Sequence, residues 1–154
     1  MAIQLNEEVI GLLVDKETVK ILATTDEQGT PHTVIKQSIH LGEDGNLVYL
    51  ELLESSQTNK NMTRSIWFKR KVAITLNGKD GRSYQIKGRP IRAIISGPLF
   101  QETYINTRER LGDVDLAAIW IIEPEEVRNE SFFVRQAEEE SIRPYFKHLD
   151  RLAK

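Results

Sequence analysis

Hydroxyl and amide side chains are concentrated behind an apolar stretch in the first half of the chain. Residues 47–53 have the apolar pattern of a strand, and the polar segment after them predicts the start of a short helix. Free backbone N–H groups, the positive helix end and hydroxyl donors would then point at one position, which favours a phosphate. The alternative is an N-capping turn that binds no ligand. The candidate phosphate contacts are Ser55, Ser56, Gln57, Thr58 and Lys60.

Motifs for side-chain catalysis are absent from the sequence. The three histidines, His32, His40 and His148, are scattered and lack the His-x-x-x-His spacing of a zinc site. There is no Gly-x-Ser-x-Gly nucleophile elbow and no Gly-x-Gly-x-x-Gly dinucleotide signature. The loop at 77–82 lacks the Gly-Lys-Ser/Thr ending of a P-loop, so we interpret it as a hairpin loop. We expect no metal site, and the catalytic residues stay unknown.

Composition and charge narrow the class of protein. The chain has 154 residues, the length of one domain, and its formal charge of −2 disfavours a general nucleic-acid binder. No apolar run approaches the ~20 residues of a membrane span, and the N-terminus lacks the pattern of a secretory signal. The absence of cysteine fits a reducing cytoplasm. We expect one cytoplasmic domain over 1–154, with its core at about 18–127, an extension at 128–154, and no nucleic-acid or membrane partner.

Apolar or alternating segments separated by turn signals predict six strands. They are residues 20–25, 31–41, 47–53, 71–76, 83–95 and 116–122. Hairpin-type turns join most of them and only short helices intervene, which favours an antiparallel barrel over a βαβ sheet. Gly88 and Pro90 predict a bulge, bend or edge in the fifth strand, and Pro124 is expected to end the sixth.

Three helices are predicted between and before these strands. Asn6 is expected to cap a short helix that plugs one barrel end, and helices are also expected at 58–64 and 99–111. The aromatic pair Trp67 and Phe68 is interpreted as packing on the core. Along the last of these helices, the candidate packing residues are Phe100, Tyr104 and Leu111. In the C-terminal extension, one helical side that could dock on the barrel or a second subunit carries Tyr145, Leu149 and Leu152.

Alternation along the second predicted strand divides its side chains between two faces. One face carries Val34, Lys36, Ser38 and His40, and the other carries Ile35, Ile39 and Leu41. The second set is apolar and is the better core candidate. This assignment leaves Lys36 free to approach an anion or solvent.

The order and spacing of several segments resemble one known family. They are "ILATTDEQGTPHTV", "DGNLVYLE", "SSQTNKNM", "KVAITL", "YQIKGRPIRAI" and "LAAIWIIEPEEV". In this order they resemble the pyridoxamine 5′-phosphate oxidase-like, FMN-binding split-barrel superfamily over about residues 19–127. The fold class that the resemblance implies is mainly β, a six-stranded antiparallel split β-barrel with short helices.

The resemblance also implies a flavin site. In that family FMN lies across the strand after the Gly-x-Pro-His-type turn, and its phosphate lies near the next strand's end and the following helix start. The implied ring contacts are Thr33, Val34, Ile35 and Lys36, the implied phosphate contacts are those of the polar segment above, and Trp120 is implied near the ring or else in the core. Related proteins often have a basic residue where Gln57 stands, so Lys60 would supply the charge here.

The activity that the resemblance implies is a flavin-dependent oxidation or reduction of small molecules, with FMN at a homodimer interface. A reduced nicotinamide is a candidate electron donor. Alternatives on the same fold are a non-enzymatic flavin or haem carrier, a redox sensor, and a deazaflavin-dependent reductase. A barrel without cofactor that serves as a binding module is a further alternative. The arginine-rich substrate motifs of a true pyridoxamine phosphate oxidase are absent.

Overall fold

The computed structural model of the chain describes residues 2–143, and their fold is a curled antiparallel sheet with helices around it. The helices are α1 (Glu7–Val14), α2 (Gln57–Trp67), α3 (Pro98–Leu111) and α4 (Phe132–Ile142). The strands are β1 (Val19–Thr25), β2 (Pro31–Ile35), β3 (His40–Leu41), β4 (Leu47–Glu51), β5 (Val72–Asn77), β6 (Ser83–Ile94) and β7 (Ala118–Asn129). The mainly β class is confirmed, with seven strands in place of the predicted six.

The sheet is curled because its two outer edges are joined by a very short piece of chain. The spatial order is β2-β1-β5-β6-β7-β4-β3, so β2 and β3 lie at opposite ends of the seven-stranded sheet. Only residues 36–39, which we name the crossing segment, connect them. Since an extended chain advances at most about 3.6 Å per residue, the ends of these two strands lie within about 18 Å of each other. The sheet therefore forms a split barrel, and the crossing segment spans the split.

The crossing segment also corrects the predicted strand at 31–41. The backbone N–H of Ile39 donates to the carbonyl of Lys36 in a turn, so the strand is broken there. The turn changes which face each side chain takes. Ile39 is buried as predicted, but Ile35 is 62% exposed and Val34 packs against the core. The assignment of Ile35 to the core was therefore wrong, because alternation holds only within an unbroken strand.

Bulges in the long β6–β7 pair confirm one proline prediction and overturn the other. The register shifts between Lys87 and Gly88 and again beyond Pro90, as expected for a bent strand. The prediction that Pro124 ends the last strand is wrong, since β7 continues to Asn129. Pro124 pairs with Gly88 at the bulge, where the ladder does not need its missing N–H. A Cβ on Gly88 would lie 2.3 Å from the Glu123 carbonyl oxygen, so this close approach requires glycine.

Hydrophobic side chains form two clusters, one inside the barrel and one outside it. The interior cluster includes α1, whose N-cap at Asn6 is confirmed by a 2.9 Å hydrogen bond from the Val9 N–H. The outer cluster is centred on β7, with Phe100 and Tyr104 of α3 packed against it. Leu111 is 55% exposed, so its predicted packing role was wrong.

The aromatic pair after α2 is on the surface. Trp67 is 78% exposed and Phe68 is 65% exposed, so the prediction that they cover the core was wrong. Helix α4 was not predicted as a separate element. The predicted helical side at Tyr145, Leu149 and Leu152, and also His148, lie outside the described residues. None of the helices within residues 2–143 combines the length and apolar character of a membrane span.

Candidate functional site

The start of α2 faces the split, and its cap is built as the sequence predicts for a helix N-terminus. The Ser56 hydroxyl accepts a 3.0 Å hydrogen bond from the Asn59 N–H, and the Ser56 carbonyl accepts the first helical bond, from Lys60. The backbone N–H groups of Gln57 and Thr58 lie in the first turn of the helix, where no helical carbonyl stands four residues earlier, and they have no acceptor within the described residues. Two N–H donors at the positive end of α2 therefore remain for a ligand.

Buried polar contacts fix α2 against the first two strands. The hydroxyl of Thr58, which is 2% exposed, lies 3.2 Å from His32 Nε2 on β2. The Asn61 amide donates to the Thr24 hydroxyl on β1 at 3.0 Å and accepts from the Gln57 amide at 2.8 Å. The predicted phosphate segment is therefore in direct contact with the strand predicted to carry the flavin ring.

Strand β2 presents unpaired backbone groups along its outer edge. The Lys36 N–H donates to the Lys20 carbonyl, and the register pairs Val34 with Leu22 and Thr33 with Ala23. Antiparallel pairs alternate between hydrogen-bonded and non-hydrogen-bonded, so the N–H and C=O groups of Thr33 and Ile35 point away from β1. In the part of the chain that the structure describes, no strand lies on that side. A planar ligand with a polar edge can hydrogen-bond there.

Lys36 forms an ion pair across the split, so the anion that it approaches is a side chain of this chain. Its ammonium lies 3.2 Å from Glu51 Oε2 at the end of β4, and 5.4 Å from the centre of the Tyr49 ring. The Glu51 side chain is 1% exposed, whereas that of Lys36 is 16% exposed. The pair depends on the crossing segment, which brings Lys36 from one sheet edge to the strand beside the other.

Glu51 accepts hydrogen bonds from several neutral donors as well. The Ser56 hydroxyl donates to Oε1 at 3.1 Å, and the Leu53 N–H donates to Oε2 at 3.2 Å. The Tyr49 hydroxyl donates to Oε1 at 3.4 Å. Burial raises the pKa of the Tyr49 phenol far above its ordinary value and the Glu51 carboxylate adds to the rise, so this donor stays protonated.

The remaining predicted site residues lie near the split, with different degrees of exposure. Ser55 and Lys60 are exposed at the start of α2. Trp120 is 2% exposed within the interior cluster, and its indole N–H donates to Asn59 Oδ1 at 2.9 Å. That geometry matches the core alternative for Trp120. All the predicted cofactor contacts stay predictions, but the structure brings Thr33 to Lys36 and Ser55 to Lys60 to one side of the barrel.

Sequence reasoning missed Glu51, His32 and Asn61. Glu51 could have been identified from the sequence, because it is the only charged residue within the apolar segment 47–53. A buried charge requires a partner. His32 alternates with Val34 and so lies on the same inward face of β2. The prediction of one strand over residues 31–41 assigned the opposite face to the core. Asn61 depends on a contact with a residue 37 positions away, which no local pattern predicts.

A cleft lies on the outer side of α2, next to these contacts. It has a volume of about 800 Å³, and its lining includes the exposed pair Trp67 and Phe68 and the cations Lys60, Arg64 and Arg70. Arg64 pairs with Glu27 at 3.4 Å, and Arg70 donates to the Asp26 carbonyl at 2.7 Å. Within residues 2–143, no group of His, Cys, Asp or Glu side chains is placed to hold a metal ion.

Solved structures of other proteins share this fold. HupZ of Group A Streptococcus has a TM-score of 0.67 at 21% identity, covering 84% of this chain and 96% of its own. A structure described as a putative pyridoxamine 5′-phosphate oxidase of Lactobacillus delbrueckii has a TM-score of 0.65 at 20% identity, covering 81% and 93%. An FMN-binding protein of Syntrophomonas wolfei has a TM-score of 0.61 at 11% identity, covering 81% and 83%.

The proteins with this fold are described with different ligands. An F420 reductase matches with a TM-score of 0.55 at 16% identity, and HutZ, the haem storage protein of Vibrio cholerae, matches at 0.56 and 14%. No protein family's sequence profile and no curated protein matches the chain. The chain therefore has the fold of the pyridoxamine 5′-phosphate oxidase-like split barrels, which confirms the predicted resemblance at the level of fold.

Proposed function

We propose that this protein binds FMN at the split of the barrel and acts as a flavin-dependent oxidoreductase of small molecules. The ring would lie along the outer edge of β2, and the phosphate would lie at the start of α2. The observation that carries this proposal is the contact between His32 and Thr58, 3.2 Å, because it joins an open strand edge to a helix end with free N–H groups. The site can then bind one ligand that carries both a ring and an anionic group.

The residues at the ring end fit a flavin. The outward N–H and C=O groups of Thr33 and Ile35 complement the alternating donors and acceptors of the pyrimidine part of the isoalloxazine. The exposed side chain of Ile35, at 62% exposure, offers an apolar surface beside it. The interaction needs no side chain of a particular type, which is consistent with the absence of a catalytic motif.

The phosphate end fits in part. The N–H groups of Gln57 and Thr58 and the exposed cation Lys60 are suited to an anion. Lys36 and the Ser56 hydroxyl are instead bonded to Glu51. These groups support a phosphate beside the helix start. They supply fewer charged donors than the double charge of a phosphate would use.

The bound flavin would supply the electron chemistry, and the chain would supply binding and orientation. The β2 edge would fix the plane of the ring, and the barrel would cover one of its faces. A small-molecule substrate and a reduced nicotinamide donor would then use the other face in turn. Residues 36–39 are held at one end by the ion pair of Lys36 with Glu51 and at the other by the bond from the Lys20 ammonium to the Ile39 carbonyl, and they would keep the β2 edge in place.

A homodimer would complete the site. Exposed apolar side chains lie close to α2, and Trp67 and Ile95 line a cleft of about 480 Å³ that also contacts Trp120. Trp67 and Ile95 are 78% and 67% exposed, and large exposed apolar side chains grouped in this way are typical of an interface. A second copy of the chain is therefore the proposed partner.

A spectroscopic titration tests the cofactor proposal. Purified protein is expected to shift the absorbance of added FMN and to quench its fluorescence, with one equivalent bound per chain. Haem and a deazaflavin, titrated in parallel, separate the alternative ligands. Saturation with either of these and no response to FMN would refute FMN as the cofactor. Turnover of a reduced nicotinamide with an acceptor separates an enzyme from a carrier.

Two substitutions test the position of the phosphate. Thr58→Ala combined with Lys60→Ala is expected to weaken FMN binding about threefold, because the variant loses the exposed cation at the helix start and the hydroxyl that contacts His32. Thr58→Ser retains the hydroxyl and Lys16→Ala removes an exposed cation elsewhere, so both serve as controls. Unchanged affinity in the double variant, with unchanged thermal stability, would show that the phosphate lies elsewhere.

A further inference from the structure

Glu51 is a buried carboxylate surrounded by hydrogen-bond donors. It is 1% exposed, and its oxygens lie within 3.4 Å of the Lys36 ammonium, the Ser56 hydroxyl, the Leu53 N–H and the Tyr49 hydroxyl. Glu54 is three residues away and exposed, and its carboxylate has none of these contacts. The environment of Glu51 is therefore specific to its position.

The donors around Glu51 are those that a phosphate would use. They comprise one ammonium, the hydroxyls of the helix N-cap and of Tyr49, and a backbone N–H, all directed at one anion. Ser56 is the N-cap of α2, so Glu51 lies next to the free N–H groups of Gln57 and Thr58. A second anion at this position would lie close to the Glu51 carboxylate, which is already paired with the nearest cation, Lys36.

We propose that Glu51 is an internal anion that competes with the ligand's phosphate and so determines the specificity of the site. The inference rests on the proposed function for the position of the flavin. With the Glu51 carboxylate bonded to these donors, the phosphate contributes little to affinity, and the site recognises chiefly the ring. Removal of the Glu51 charge releases Lys36 and the Ser56 hydroxyl to the phosphate.

The physical reason is repulsion between two anions that share one set of donors. A phosphate that takes Lys36 and Ser56 leaves Glu51 buried with two neutral donors, Tyr49 and the Leu53 N–H. An isolated buried carboxylate is strongly disfavoured. The cost of this exchange offsets the gain from the new phosphate bonds.

Paired titrations with FMN and riboflavin test the competition, since the two ligands differ in the phosphate alone. In the unmodified protein, their dissociation constants are expected to agree within about threefold. In Glu51→Gln, FMN is expected to bind at least about tenfold more tightly, whereas riboflavin affinity stays unchanged. Glu54→Gln makes the same change of charge at an exposed position and is expected to alter neither.

Two results would overturn the proposal. The first is that the unmodified protein binds FMN over about thirtyfold more tightly than riboflavin. This measurement does not depend on the folding of any variant. The other is a folded Glu51→Gln protein whose preference for FMN over riboflavin is unchanged. Adding Lys36→Met to Glu51→Gln is expected to abolish the gain, because the released cation is then absent.

Inorganic phosphate provides a probe that does not depend on flavin binding. Millimolar phosphate is expected to raise the melting temperature of Glu51→Gln. It is expected to leave the melting temperatures of Glu54→Gln and of the unmodified protein unchanged. A chloride salt at the same ionic strength, free of sulfate, is the control. Failure of all flavins to bind, together with this phosphate response, would reject the proposed function and retain the role of Glu51. Flavin binding with no phosphate or FMN gain in Glu51→Gln would reject the role of Glu51 alone.

Discussion

Two lysines contact the crossing segment or belong to it, and their ammonium groups have different partners. Lys20 on β1 is 6% exposed, and its ammonium donates to the carbonyls of Leu13 at 2.9 Å and Ile39 at 2.7 Å. Lys36 donates to the Glu51 carboxylate. Lys20 therefore has backbone partners, and Lys36 has a side-chain partner.

This difference separates a contact with the backbone from a contact between two side chains. The carbonyls bonded to Lys20 belong to the end of α1 and to the crossing segment, and they cannot leave without moving the backbone. The Glu51 carboxylate is carried by a side chain, and in the proposal above a phosphate competes with it for Lys36. The two lysines differ in the nature of the acceptor, which is a pair of backbone carbonyls for Lys20 and a carboxylate for Lys36.

The largest expected effect is the loss of the Lys36 ammonium. Lys36→Met leaves a buried carboxylate without its cation and is expected to lower the free energy of unfolding by about 2–3 kcal/mol. The loss is limited because Ser56, Tyr49 and the Leu53 N–H remain bonded to Glu51. Chemical denaturation measures it.

A double variant checks that prediction. Lys36→Met with Glu51→Gln is expected to be more stable than Lys36→Met alone, because no unpaired buried charge remains. Additive losses in the double variant would show that the two side chains are not coupled.

Loss of the Lys20 ammonium is expected to have a smaller effect. Lys20→Met keeps most of the apolar stem but leaves the Leu13 and Ile39 carbonyls without this donor, which predicts a loss of about 1–2 kcal/mol. Faster amide hydrogen exchange is expected in the crossing segment and at the end of α1. FMN affinity measured in the same protein is expected to change less than in Lys36→Met. An equal loss of affinity would remove the distinction between the two lysines.

The pH dependence of stability should also distinguish them. Burial lowers the pKa of Lys20 from its ordinary 10.5, so between the two values the unfolded chain binds more protons than the native protein. Stability contributed at this site therefore rises with pH across that window, and it is lowest where Lys20 is protonated in both states. The difference in unfolding free energy between the unmodified protein and Lys20→Met is expected to grow from neutral pH to about pH 10. A flat difference would contradict the burial of this charge.

The smallest effect on stability is expected at the exposed aromatic pair, Trp67 and Phe68. Trp67→Ser is expected to change the free energy of unfolding by less than about 0.5 kcal/mol, because the side chain is 78% exposed. If the exposed surface pairs with a second copy, the same variant is expected to shift the protein toward monomer in sedimentation. A large loss of stability at protein concentrations where the chain is monomeric would show that Trp67 packs within one chain.

The general position of the candidate site follows from the sequence, but its internal bonding does not. The polar segment after an apolar strand correctly predicted a capped helix start, and the resemblance placed that segment beside the strand at Thr33 to Lys36. The pairing of Lys36 with Glu51 was not predictable, because it depends on the crossing of the chain from one sheet edge to the other. The contact of His32 with Thr58 has the same origin.

The sequence by itself determined the local features of this protein: the β-rich pattern, the Asn6 cap, the bend at Gly88 and Pro90, and the polar start of α2. These features depend on neighbours within a few residues, whose backbone preferences act locally. Only the tertiary structure decided that Ile35 and Trp67 are exposed, that β7 continues through Pro124, and that Glu51 collects donors from three segments. The closing of the sheet decides these points, because burial and ion pairing depend on which distant residues the curled barrel brings into contact.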